Sequence, residues 1–124
     1  MSEQYAGTPA VEAGSTEQWR SWLAEHTGSA DAVWLIMYRK GSGVPTPSHA
    51  EAVDQALCYG WIDSKSVRRD EQSRYQRFTP RRRKSNWSVI NAARAEALIA
   101  AGRMASSGLA EIERAKQDGR WPSE

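Results

Sequence analysis

A short apolar run around residue 35 is the feature that most limits how this chain can fold. Residues 32–40 read AVWLIMYRK. Successive side chains of an extended strand point to opposite sides, and a strand that is apolar on both sides is covered on both faces. The run therefore predicts a buried strand in a layered domain. Its two apolar sides are Val33, Leu35 and Met37 on one, and Trp34, Ile36 and Tyr38 on the other.

Four helices are predicted around this strand, from apolar residues at helical spacing and from residues that cap helix ends. In the first two helices a Ser is followed three residues later by Gln or Glu, which is the spacing of a capping box. Glycines mark the helix ends. The predicted caps are Ser15, Ser48, Ser85 or Asn86, and Ser106 or Ser107.

A β-hairpin is predicted after the second helix. Residues 61–67 and 74–79 have strand character, residues 69–72 supply the turn, and Pro80 ends the second strand. Together with the buried strand, the hairpin indicates an α+β fold. We expect a small, mostly antiparallel three-stranded sheet packed by about four helices, in a single domain.

The N-terminal segment is expected to lie outside this domain. Residues 1–14 contain Gly7, Pro9 and Gly14 and show no periodicity, so we predict a flexible leader followed by one domain over residues 15–124. Six Trp and four Tyr provide buried aromatic surface in place of aliphatic side chains.

Composition excludes several classes of protein. No apolar run reaches the roughly 18–20 residues that a membrane span needs, and residues 1–15 lack the pattern of a secretory signal. Cys58 is the sole cysteine, which excludes an internal disulfide and a thiolate zinc cluster. The two histidines do not have metal-ligand spacing. We expect a cytoplasmic protein without membrane insertion, metal or cofactor.

Positive charge is concentrated in and after the hairpin. Nine basic and two acidic residues lie between Lys65 and Lys84, whereas the rest of the chain has eight basic and 13 acidic residues. Arginines beside aromatic rings suit phosphate contacts and base stacking. The alternative is a solvated hairpin whose arginines pair with acidic helices of the same chain. The candidate nucleic-acid contacts are Lys65, Arg68, Arg69, Arg74, Arg82, Arg83 and Lys84.

The start of the predicted third helix is a candidate anion site. The basic residues 81–84 run directly into Ser85 and Ser88, where free backbone N–H groups and the helix dipole favour an anion. The alternative is that Ser85 only caps its own helix.

Asp63 is the one candidate for acid–base chemistry. It follows the apolar residues Trp61 and Ile62. Opposite a hairpin arginine such as Arg77 it would stay ionised in an ion pair. Without a partner its pKa would rise, as a general acid or base requires, and Tyr59 or Asn91 would add hydrogen bonds.

The remaining titratable candidates suggest little chemistry. His26 is predicted at a helix C-terminus, and His49 in the first turn of the second helix, exposed to solvent. Cys58 is predicted to be a buried, inert thiol.

Several short motifs resemble the YdeI/OmpD-associated (bacteriocin-protection) family of small bacterial proteins. They are GWID at 60–63, RFTPR at 77–81, and SNWS at 85–88 followed by Asn91, and the resemblance extends from Trp19 to Trp121. Ser64 stands where the family often has Gly. The resemblance implies resistance to bacteriocins or cationic antimicrobial peptides, and no cofactor or catalytic set.

We therefore expect a non-catalytic stress or antimicrobial-protection protein that binds an anionic small molecule, or a protein or peptide partner, through the basic aromatic hairpin. The alternatives are a nucleic-acid-binding protein using the same surface at 65–91, and a small enzyme acting on an anionic substrate with Asp63 as acid or base. The expected ligand-binding residues are Trp61, Asp63, Arg77, Phe78, Arg81, Ser85, Trp87, Ser88 and Asn91.

Overall fold

The computed structural model describes residues 3–81 and 86–122. The strands are β1 (Glu3–Tyr5), β2 (Thr8–Glu12), β3 (Val33–Tyr38), β4 (Trp61–Arg68) and β5 (Ser73–Pro80). The helices are α1 (Thr16–His26), α2 (His49–Cys58), α3 (Val89–Ala100) and α4 (Ser106–Gln117). The architecture is therefore α+β.

The sheet differs from the one that the sequence predicts. It has five strands in the order β1-β2-β3-β5-β4. The pairing of β2 with β3 is parallel, and the other three pairings are antiparallel. The expectation of a three-stranded, mostly antiparallel sheet is wrong, because β1 and β2 add a hairpin to one edge and make the sheet mixed.

This extra hairpin comes from residues 3–12, within the segment predicted to be a flexible leader. Ala6 and Gly7 connect the strands with φ angles of 51° and 79°, and a two-residue turn with both φ angles positive matches the twist of a hairpin. Alanine rarely adopts such a φ, so the turn has no clear sequence signal. Pro9 argues against a strand, but it is tolerated because the pairing of β2 with β3 begins only at Ala10.

The prediction of a strand covered on both faces is confirmed by β3. Residues 33–37 are all buried. On one face of the sheet, here called the helix-side face, Leu35 and Phe78 pack against the four helices. The opposite face, here called the outer face, carries a smaller cluster that includes Trp34 and Tyr75. Neighbouring residues on β5 point to opposite faces of the sheet. This alternation decides which of its side chains can lie close to one another.

Helix caps agree with the sequence for the first two helices and differ for the others. Ser15 caps α1, and Ser48 and Glu51 form the predicted capping box of α2. The cap of α3 is Ser88 rather than Ser85 or Asn86, so α3 begins later than predicted. The N-cap of α4 is Ala105, which makes no side-chain hydrogen bond to the helix.

Helix α4 packs closely against the end of α2. A Cβ atom placed on Gly108 would lie 2.3 Å from the carbonyl oxygen of Cys58, so only glycine fits at this contact. Within residues 3–81 and 86–122, no helix is long and apolar enough to span a membrane.

Candidate functional site

A groove lies between two loops at one end of the sheet. Its volume is about 880 Å³. One wall is the end of β3 with the following loop and the first turn of α2, at residues 37–51. The other wall is the β4–β5 turn with the start of β5, at residues 70–74. This groove is the candidate functional site.

Arg74, His49 and Asp63 contact one another in series beside the groove, with His49 in the middle. Arg74 lies opposite Met37 in the sheet register, and one of its terminal nitrogens is 3.2 Å from Nδ1 of His49. The other ring nitrogen of His49, Nε2, is 3.4 Å from Oδ2 of Asp63. Two strands of the sheet, β4 and β5, and the start of α2 thus bring together residues that are distant in sequence.

The arrangement determines the tautomer of His49. A guanidinium group only donates hydrogen bonds, so Nδ1 of His49 accepts the one from Arg74. The ring proton of neutral His49 is then on Nε2, which faces Asp63. The imidazole is half exposed, with a side-chain accessibility of 49%, and can therefore contact a ligand in the groove.

Two of the three acidic residues that line the groove, Glu51 and Asp70, accept hydrogen bonds within the protein; the third is Glu71. Glu51 accepts from the backbone N–H of Ser48, and this bond lowers the pKa of the Glu51 carboxyl. Asp70 accepts from the backbone N–H of Gln72 at 2.8 Å and from Ser73. These bonds lower the pKa of Asp70 as well. Both carboxylates are held within the protein's own turns.

The basic residues of the groove are not neutralised in the same way. Within the described part of the chain, Arg39, Lys40 and Arg74 have no carboxylate within ion-pair distance. The Arg39 side chain donates to the side-chain amide oxygen of Gln72, and the Nε atom of Arg74 is buried without a hydrogen-bond partner among the described residues. Three basic and three acidic residues line the groove, so its formal charges balance. The basic side chains nevertheless lack carboxylate partners of their own, which leaves their N–H groups available to an anion.

The structure does not bring the predicted ligand-binding residues into one pocket. Trp61 and Phe78 are fully buried in the core on the helix-side face. The side chain of Ser88 accepts from the backbone N–H of Asn91 and serves as the α3 cap. Arg82, Arg83, Lys84 and Ser85 lie outside the described residues.

Arg81 and Trp87 form a packed pair. The guanidinium carbon of Arg81 is 4.0 Å from the centre of the Trp87 ring, and its terminal nitrogen donates to the backbone oxygen of Asn86 at 2.9 Å. Burial lowers the pKa of Arg81. Both side chains are more than nine-tenths buried, so this pair holds the start of the α3 segment against the sheet.

Asp63 does not pair with Arg77, the partner named in one of the two alternatives for this residue. Asp63 lies opposite Phe78 in the sheet, on the helix-side face, whereas Arg77 lies opposite Trp34, on the outer face. The partner of Asp63 is His49. Sequence reasoning missed this pairing, because nothing in the spacing of the two residues shows that the first turn of α2 packs beside β4.

The two residues expected to assist Asp63 make other contacts. Tyr59 follows α2 and packs its ring against the guanidinium of Arg20, 5.2 Å away. Asn91 lies in the first turn of α3. Burial raises the pKa of the Cys58 thiol, and its side chain is buried as predicted.

The described basic residues of the hairpin are divided between the two faces. Lys65 lies over the Trp34 ring at 5.8 Å, and Arg69 is paired with Glu3 at 2.8 Å, both on the outer face with Arg77. Arg74 is on the helix-side face. The hairpin thus has no single continuous basic surface.

A second cleft lies near Arg77, with a volume of about 550 Å³. Arg77 makes no ion pair with any described residue. The cleft lies partly on the outer face, across the sheet from Arg74. Its lining is Asp31, Ile62, Ser64, Arg77, Thr79, Pro80 and Arg81.

The comparisons with known proteins identify a family whose function is unknown. The model of a family described as "Domain of unknown function (DUF8412)" matches residues 11–111, a span that includes the whole groove. No curated protein and no solved structure matches the chain. The resemblance to the YdeI/OmpD-associated family therefore stays a prediction.

Proposed function

The chain belongs to the DUF8412 family, and from the geometry of its groove we propose that it is a non-catalytic binding protein for an anionic ligand. The observation that carries this proposal is that acidic and basic side chains of the groove differ in whether they have partners within the protein. Two of the groove's three carboxylates, Glu51 and Asp70, are held by internal donors. The basic residues Arg39, Lys40 and Arg74 have no carboxylate partner among the described residues. An anion in the groove would supply that partner.

Arg74 is the residue best placed to bind the anion. Its side chain is held between Met37 and His49, so little side-chain entropy remains to be lost on binding. A guanidinium can form two parallel hydrogen bonds to a carboxylate, sulfate or phosphate group. Arg39 and Lys40 contribute longer-range attraction from the opposite wall.

A binding role fits the state of His49 better than catalysis does. A general base needs a free lone pair directed at the proton it removes. The Nδ1 lone pair of His49 is occupied by the hydrogen bond from Arg74, and its Nε2 faces Asp63. The alternative of an enzyme using Asp63 as acid or base remains a prediction.

The biological role in this proposal comes from the family resemblance. We place the protein in the cytoplasm and assign it a part in protection from bacteriocins or cationic antimicrobial peptides. Bacterial cells that lack the protein and are complemented with Arg74→Gln should then survive a bacteriocin less well than cells complemented with the unaltered chain. Equal survival at equal protein levels would show that protection does not depend on anion binding by Arg74.

Two arginines that lie three residues apart on the same strand provide the direct test of binding. Arg74 and Arg77 both lie on β5 without a carboxylate partner among the described residues, but on opposite faces of the sheet. Arg74→Gln should weaken binding of sulfate and of nucleoside phosphates about tenfold or more, because a charge-assisted hydrogen bond is lost. Arg77→Gln should leave the affinity within about twofold, as measured by calorimetry.

The opposite pattern would contradict the groove as the site. If Arg77→Gln weakens binding and Arg74→Gln does not, the anion binds in the cleft near Arg77. Circular dichroism spectra of both variants serve as the folding control.

Nucleic-acid binding is the second candidate function. One observation favours it: the outer face carries Lys65, Arg69 and Arg77 together with the aromatic residues Trp34 and Tyr75. Trp34 and Tyr75 are, however, 2% and 8% exposed, which leaves little ring surface for stacking on bases. If this candidate is correct, oligonucleotides should bind with an affinity that falls steeply with salt and depends on Arg77 rather than Arg74.

A further inference from the structure

We propose that the groove binds its anion together with one proton, which is taken up by His49. The inference rests on the proposed function and adds a control by pH to the same site. It follows from the position of His49 between a permanent cation, Arg74, and a carboxylate, Asp63. Neither the family nor the sequence motifs assign any role to this histidine.

In the free protein, the hydrogen bond from Arg74 to His49 requires that Nδ1 carry no proton. The N–H group of Arg74 points at Nδ1 from 3.2 Å, and an arginine does not lose its proton in proteins. Protonation of His49 would give the imidazole a second N–H group, located at Nδ1. Two donors and two positive charges would then face each other. The hydrogen bond would be lost and Arg74 would have to move away.

An anion in the groove removes this requirement. When Arg74 turns to the anion, Nδ1 of His49 is released and can carry a proton. The resulting imidazolium is attracted by the anion on one side and by Asp63, 3.4 Å from Nε2, on the other. The anion and the proton therefore bind cooperatively, and by linkage each increases the affinity for the other.

The other charged groups near His49 do not account for a change in the same pH range. Histidine side chains change charge between about pH 5 and 8. Hydrogen bonds lower the pKa values of Glu51 and Asp70, which moves their titration further below that range. The charged groups on the elements around His49 are Asp63 and Arg68 on β4, Arg74 on β5, Arg39 and Lys40 after β3, Glu51 on α2, and Asp70 and Glu71 in the turn.

The chain offers a natural control because it has two histidines. His26 lies at the end of α1, where Nδ1 is 2.8 Å from the backbone oxygen of Trp22, and it does not line the groove. His26→Gln should therefore leave the pH dependence unaltered. His49→Gln should abolish it, since a glutamine can accept from Arg74 and donate to Asp63 but cannot take up a proton.

The probe is inorganic sulfate, whose charge is constant between pH 5.5 and 8. We expect the affinity for sulfate to fall at least about threefold from pH 5.5 to pH 8 in the unaltered chain and in His26→Gln. The fall should nowhere exceed about tenfold per pH unit, which is the linkage limit for one proton. The affinity of His49→Gln should be flat. A pH dependence that persists in His49→Gln, or is lost in His26→Gln, would overturn the proposal.

A measurement without ligand distinguishes this proposal from the proposed function. Met37 contacts Arg74 through its sulfur at 3.6 Å, so its methyl carbon signal in NMR should shift as His49 is protonated and Arg74 moves. The shift should be absent in His49→Gln. If the Met37 signal titrates but sulfate does not bind at any pH, the proposed function fails and the proton-linked binding fails with it. If sulfate binds but neither its affinity nor the Met37 signal depends on His49, the present inference alone is wrong.

Discussion

The arginine residues of this protein differ in their partners, and those partners determine which arginine is available to a ligand. Arg69 is paired with Glu3, and Arg81 lies over Trp87, so both are used by the fold. Arg74 is held by an imidazole rather than by a carboxylate. An imidazole is a weaker partner than an anion, and Arg74 can therefore exchange it for a ligand.

The Glu3–Arg69 pair shows the structural use of arginine in measurable form. Hydrogen bonds from Arg69 and from Tyr75 lower the pKa of Glu3 to about 2. A lowered pKa in the folded state stabilises the protein fully above the unfolded value near 4.5, and this stabilisation is lost as the pH falls through about 2. The pair joins β1 to the turn between β4 and β5.

Glu3→Gln should lower the free energy of unfolding by about 1 kcal/mol at pH 7, a value reduced for the partial exposure of the pair to solvent. The deficit should shrink as the pH approaches 2. Urea unfolding at pH 7 and pH 2 measures it, with the exposed Glu25→Gln as the control. A deficit of the same size at both pH values would show that ionisation of Glu3 is not the cause.

At the scale of elements, the sequence predicts best what is encoded within a few neighbouring residues. The buried strand β3 and the capping box of Ser48 and Glu51 follow from local pattern. The β1–β2 hairpin is missed because its turn uses Ala6 at a positive φ and its second strand contains Pro9. The cap of α3 is misplaced because several serines and an asparagine near its start are equivalent candidates.

The contact between α2 and α4 provides a test in which two effects have opposite signs. In an exposed part of a helix, Gly→Ala stabilises by about 1 kcal/mol. At Gly108 the new Cβ would lie 2.3 Å from the backbone oxygen of Cys58, so the two helices would have to separate. Gly108→Ala should therefore destabilise the protein, by about 1–3 kcal/mol, in a denaturant unfolding curve. A gain in stability would contradict the close packing of α4 on α2.

At the scale of the whole molecule, the candidate site depends on contacts between elements that are far apart in sequence. The basic and aromatic character of residues 65–81 is visible in the sequence, but its division between the two faces of the sheet is not. That division follows from the register of β5, which places Arg74 and Arg77 on opposite faces. His49 acquires its role only because α2 begins beside β4 and β5.

Above all, we propose that an anion binds in the groove between residues 37–51 and 70–74. The most direct test is to map amide and side-chain NMR signals while sulfate is added to the labelled protein at constant ionic strength. We predict saturable shifts at Arg39, Lys40, His49 and Arg74, and none around Arg77. Saturable shifts centred on residues 77–81, or no shifts at any sulfate concentration that the protein tolerates, would contradict the claim.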